Sequence, residues 1–116
     1  MAGYGLFVGF GFPVRGREQK AAAVFGEAVE LWTRYQQEGK LEAWEAIFLE
    51  PHGGDLGGFF LLRGDGAREL AGDEAFQRLV TRAQLIVDNF GVVGVQMGDR
   101  IGEQMQRFLE AAAELA

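Results

Sequence analysis

With 116 residues the chain has room for one domain built around one core. Apolar residues make up 48% and charged residues 24%, a globular balance that excludes both a disordered tail and a membrane span. Eleven Lys and Arg against seventeen Asp and Glu leave a net charge of -6, which argues against nucleic acid and anionic membranes as partners, and the absence of cysteine excludes disulfides, thiolate nucleophiles and cysteine-ligated metals.

The first residues, Met1-Ala2-Gly3-Tyr4, lack the basic-then-apolar order of a secretory signal, so a cytoplasmic location is expected. From Tyr4 to Phe12 the pattern alternates. Tyr4, Leu6, Val8, Phe10 and Phe12 fall on one side and Gly5, Phe7, Gly9 and Gly11 on the other, as in a strand with one glycine-lined face. Either close helix packing or room for a ligand would explain those glycines. Arg17 to Glu38 switches to helical spacing, with Ala21, Val24, Phe25, Ala28, Leu31, Trp32 and Tyr35 on one stripe, and Gly39 supplies a left-handed cap.

Leu41 to Leu49 reads as a partly exposed strand near an edge. Gly58 to Arg63 contains Phe59-Phe60-Leu61-Leu62, apolar on both faces, as a central strand covered on both sides requires. A helical turn is expected at Arg68-Glu69-Leu70. Asp73 then stands as the N-cap of a helix carrying Phe76, Leu79, Val80, Ala83, Val87 and Phe90, ended by Gly91. Val92 to Met97 is a short strand. Asp99 caps a last helix with Ile101, Met105, Phe108, Leu109 and Ala112 on one face.

The first six elements, strand-helix-strand-strand-helix-strand, form the split pattern of ferredoxin-like folds: an α+β, four-stranded antiparallel sheet. Right-handed crossovers put both main helices on one face of that sheet, leaving an apolar second face that needs a cover, and a second copy of the chain is the simplest one. The segment Glu50-Pro51-His52-Gly53-Gly54-Asp55-Leu56-Gly57-Gly58-Phe59-Phe60, with Phe76-Gln77-Arg78-Leu79 and Leu85-Ile86-Val87-Asp88, resembles uncharacterised small bacterial proteins of the dimeric α+β-barrel superfamily. That resemblance covers Tyr4 to Gln96. It implies a homodimeric α+β barrel, while length and periodicity give one domain spanning 1–116, with a core over 4–97 and an additional C-terminal helix over 99–115. The superfamily includes cofactor-free monooxygenases, haem-degrading enzymes, isomerases, decarboxylases and proteins with no known reaction, so the fold by itself does not select a function.

Glu50, His52 and Asp55 bring an imidazole and two carboxylates within six residues, among glycines that free the backbone to approach a ligand. His52 is the candidate acid or base, with either carboxylate, Glu50 or Asp55, to fix its tautomer. A long hairpin turn uses Pro, Gly and Asp in any case. No metal is expected, since one imidazole and no thiolate per chain is a poor transition-metal set, and no cofactor is called for. Trp44 and Arg63 complete the candidate ligand-binding set. Arg63 ends an apolar strand and is read either as a charge at a cavity rim or as a side chain reaching water. Gly11 to Glu18 has the glycine spacing of a phosphate-binding loop, but Arg17 and Glu18 stand where Lys and Ser or Thr are needed, which excludes a nucleotide. Arg63-Gly64-Asp65 matches an integrin tripeptide by spelling alone.

Three functions follow as expectations. The first is binding of a small apolar or aromatic molecule in a cavity between the sheets of a dimer. The second is a cofactor-independent monooxygenase-, isomerase- or decarboxylase-like enzyme using His52, and the third is a structural oligomerisation module with a filled interface.

Overall fold

The computed structural model describes residues 2–116 and orders them as strand β1 (Tyr4–Phe10), helix α1 (Glu18–Gln37), strands β2 (Ala43–Phe48) and β3 (Gly58–Arg63), a 3-10 segment (Ala67–Gly72), helix α2 (Glu74–Gln84), strand β4 (Gly91–Gln96) and helix α3 (Asp99–Leu115). The four strands form one antiparallel sheet in the order β2-β3-β1-β4. This is the ferredoxin-like arrangement expected from the element order, with the two most apolar strands in the centre.

Register assigns every side chain to a face. Leu6 pairs with Leu62 and Val8 with Phe60. These four residues are buried against Ala28, Leu31, Trp32 and Tyr35 of α1 and Phe76 and Leu79 of α2. The α1 residues recur at i, i+3, i+4 and i+7, one helical stripe, so both helices lie on the same side of the sheet. Burial of each large side chain in this layer contributes about 1.5–3 kcal/mol. Helix α1 then ends in a Schellman motif: Gly39, at φ 77°, donates to the Gln36 carbonyl and Lys40 to that of Tyr35.

The opposite face carries Phe7, Phe59 and Leu61, with Ile47 on β2 and Val93 and Val95 on β4. Phe7 and Phe59 stack with centroids 4.8 Å apart. The glycines of β1 lie on this face, away from the helices. A Cβ on Gly9 would come 2.6 Å from the Phe7 ring, and one on Gly5 would run into the backbone carbonyl oxygen of Leu62 and, at 2.9 Å, the Met97 methyl. Gly9 therefore makes room for Phe7, and Gly5 for the neighbouring strand as well as for Met97.

Several boundaries differ from the sequence expectation. Strand β1 stops at Phe10, and α2 stops at Gln84 rather than continuing to Gly91. The cause is shared. Gly11 donates to the Asp88 carbonyl, Asp88 to Phe12 and Val14 to Ile86, so residues 86–88 leave the helix to pair with the chain that follows β1. Asp73 sits at the α2 N-cap but makes no side-chain cap bond; its Oδ2 instead accepts the Tyr35 hydroxyl at 2.6 Å. Gly98, at φ 59°, occupies the α3 N-cap, and Asp99 is the first helical residue, where its charge suits the helix dipole.

Tyr35 is almost wholly buried, and burial first, then the hydrogen bond to Asp73 and its negative charge, push its pKa far above the ordinary tyrosine range. The unfolded chain gives up this proton near pH 10 while the folded chain retains it, so above that pH the unfolded state binds fewer protons and stability falls as pH rises. Tyr35→Phe is expected to cost about 1–2 kcal/mol at neutral pH and to flatten the decline above pH 10. Denaturant melts across that range check it, and an alkaline slope equal to that of the wild type would refute the coupling.

Candidate functional site

Small residues on the inner face of α1, opposite aromatic residues of the sheet, leave unfilled space. Ala21, Ala22 and Ala28 face a wall that includes Phe10 and Phe60, while Leu79, Val80 and Ala83 of α2 close another side. The result is an apolar cavity of about 520 Å³ between the helices and the sheet, within the usual size range of small-molecule sites. Its aromatic lining is ordered: Phe25 stacks on Phe60 at 4.9 Å and on Phe48 at 5.3 Å, and Phe10 meets Phe60 at 5.8 Å. Phe12 and Phe48, 58% and 68% exposed, stand at the opening with Leu49. Glu18, in the first turn of α1, is the one charged residue of the lining. Fully buried Trp32 belongs to the lining too, and its Nε1 is a buried donor without a hydrogen-bond partner.

The floor depends on close backbone approach. A Cβ on Gly11 would come 2.6 Å from the Asp88 carbonyl oxygen and 2.9 Å from that of Asp55, so only glycine lets the three segments meet. Gly57 donates to the Phe10 carbonyl and Leu49 to that of Gly57. The loop over 50–56 thus leaves and re-enters the fold at two residues of the cavity lining.

The loop residues singled out from sequence do not converge. His52 Nε2 lies 2.7 Å from the Leu56 carbonyl and its Nδ1 accepts from the Gly54 N–H at 3.1 Å, which requires a neutral ring carrying its proton on Nε2. Glu50 and Asp55 are exposed and neither reaches the imidazole. Trp44 packs edge-on against Phe60 at 6.5 Å, outside the cavity lining. Arg63 lies on the face away from the helices, where its guanidinium donates to Glu45 Oε1 at 2.9 Å. Arg17 donates to the Leu85 carbonyl, tying the start of α1 to the end of α2. The cavity walled by Phe10, Phe25 and Phe60 is therefore on the helix side of the sheet, not on the side that would face a partner sheet. What sequence reading missed is the lining itself, and its one signal was the set of alanines on the inner stripe of α1.

No protein-family model matches the chain, and no curated protein matches it. Among solved structures it is similar to the NE2512 protein of unknown function from Nitrosomonas europaea, at 20% identity and a TM-score of 0.59 over 84% of this chain and 90% of that one. A dimeric protein of unknown function and ferredoxin-like fold from Bacteroides fragilis NCTC 9343 superimposes at a TM-score of 0.58 and 7% identity, covering 81% and 96% of the two chains. PA3566 from Pseudomonas aeruginosa follows at 0.55 and 17%, covering 84% and 96%. At these identities the likeness establishes the ferredoxin-like fold.

Because both ring nitrogens of His52 serve its own loop, His52→Ala is expected to cost less than about 1 kcal/mol and to accelerate amide exchange at Gly54 and its neighbours. Hydrogen exchange of the two proteins reads this directly; unchanged protection at Gly54 would remove the structural role.

Proposed function

We propose that the protein binds a small, neutral, flat apolar or aromatic molecule in the cavity between α1, α2 and the sheet. The observation that carries this is the lining: about 520 Å³ walled by aromatic and aliphatic side chains, with a single charged residue, Glu18. Stacked rings offer planar surfaces to a planar guest. A carboxylate without a basic companion in the lining disfavours an acidic ligand.

Two such subunits are proposed to pair through their open sheet faces into one homodimeric α+β barrel, each chain acting as a single domain. The half-buried Phe7, Phe59 and Leu61 and the exposed Val93 of that face support the pairing, as does the dimeric Bacteroides fragilis protein of like fold. Among the described residues no helix is long and apolar enough to cross a membrane. A cysteine-free chain with a net charge of -6 suits the cytoplasm and disfavours nucleic acid as a partner. Acid–base chemistry by His52 and Asp55 has no observation in its favour, since the imidazole is bonded to its own loop.

The test is a thermal-shift screen of neutral polycyclic aromatics and their ketones against the wild type and Ala21→Phe, which fills the lumen from α1. At 100 times its dissociation constant a ligand should raise stability by about 2.7 kcal/mol in the wild type, and the variant should lose that response. Equal shifts in both proteins would place the binding elsewhere, and silence across the panel would leave the cavity without a ligand of this class.

A further inference from the structure

We infer that α3 is a clasp for a second copy of this chain, its apolar stripe closing on the partner subunit beside the paired sheets. None of the seventeen residues of α3 is buried. Ile101, Met105, Phe108 and Leu109 are each more than half exposed and Leu115 is 88% exposed. Ile101, Met105, Phe108, Ala112 and Leu115 follow a 4-3-4-3 spacing, the seam of a helix that packs along its length. A helix this short gains little stability alone in water and needs a packed face.

The chain does not provide that face itself. Its radius of gyration is 16.3 Å, against about 13 Å for a compact chain of this size, so α3 extends away from the body. The stem is held in that direction. Met97 donates to the Gly3 carbonyl, Gly3 donates to Asp65 Oδ1, and the Arg100 guanidinium stands 4.4 Å from the centroid of the Tyr4 ring. A lipid surface is disfavoured, because Asp99, Glu103, Glu110 and Glu114 outnumber Arg100 and Arg107 on the helix.

Area selects the occupant. A helix of this length offers a footprint of about 250 Å² and the open sheet face about 400 Å². An interface that uses both surfaces is larger than either gives alone, which brings it closer to what a stable dimer needs. A second copy meets both surfaces at once and presents the same two surfaces in return, as a two-fold interface requires. The clasp rests on the paired-sheet reading, and the experiment separates the two.

Light scattering over a dilution series would be run on the full-length wild type, on Phe108→Glu and on Val93→Glu, with hydrogen exchange followed over residues 101–115. Both substituted positions are exposed in the subunit, at 53% and 55%, so the fold should survive each change. The expected result is a two-chain mass for the wild type, at least tenfold weaker association for each variant, and α3 protection that rises with chain concentration. If Phe108→Glu leaves association and α3 protection unchanged while Val93→Glu weakens pairing, the sheets pair but the clasp is wrong. Protection independent of concentration would mean that α3 packs on its own subunit, and a mass above two chains would mean an open array; either overturns the clasp. A wild type that stays a single chain at every concentration overturns both readings.

Discussion

Two crossovers of the same hand place α1 and α2 on one face of a four-stranded sheet, and this asymmetry governs the molecule. On the helix side, Leu6, Val8, Phe60 and Leu62 are sealed by the stripe that ends in Trp32 and Tyr35. On the other side Phe7 and Phe59 are half-buried and Val93 is exposed, and among the described residues no second layer covers them. A sheet stabilised by apolar burial on one face and left open on the other keeps apolar area in contact with water, and contiguous area of that kind carries a free-energy cost.

The cavity arises within the same layer that stabilises the fold. Where α1 presents Leu31, Trp32 and Tyr35, helix and sheet interdigitate. Where it presents Ala21 and Ala22, nearer its start, the side chains are too short to fill the gap to the sheet, and the space between remains. The pairing of residues 86–88 with the chain beyond β1 closes the floor, and Gly11 is the position that lets these strands approach. The core and the cavity lining therefore share Trp32 and Phe60, and how far each α1 side chain extends divides one from the other.

Much of this was legible in the order of residues. Alternation along Tyr4–Phe10 and helical spacing along α1 and α3 survive nearly unchanged, since both follow from local geometry. Asp73 shows where local reasoning stops. Its position at the helix start is correct, yet its carboxylate answers Tyr35, thirty-eight residues away, whose hydroxyl would otherwise be buried unpaired. His52 shows the same limit in reverse. Its neighbours in sequence suggested a catalytic cluster, but a ring that can bond Gly54 and Leu56 of its own turn is oriented by those bonds and not by nearby carboxylates.

Composition and periodicity by themselves determined the element types, the antiparallel α+β layering, the one-sided placement of the helices and the surplus of apolar surface, because each depends on the spacing of side chains along a regular backbone. Only the tertiary structure decided which face encloses space, where β1 and α2 end, what Asp73 and His52 bond to, and that α3 finds no seat on its own subunit. Those outcomes depend on distances between segments remote in the chain, and no local pattern of residues encodes a distance of that kind.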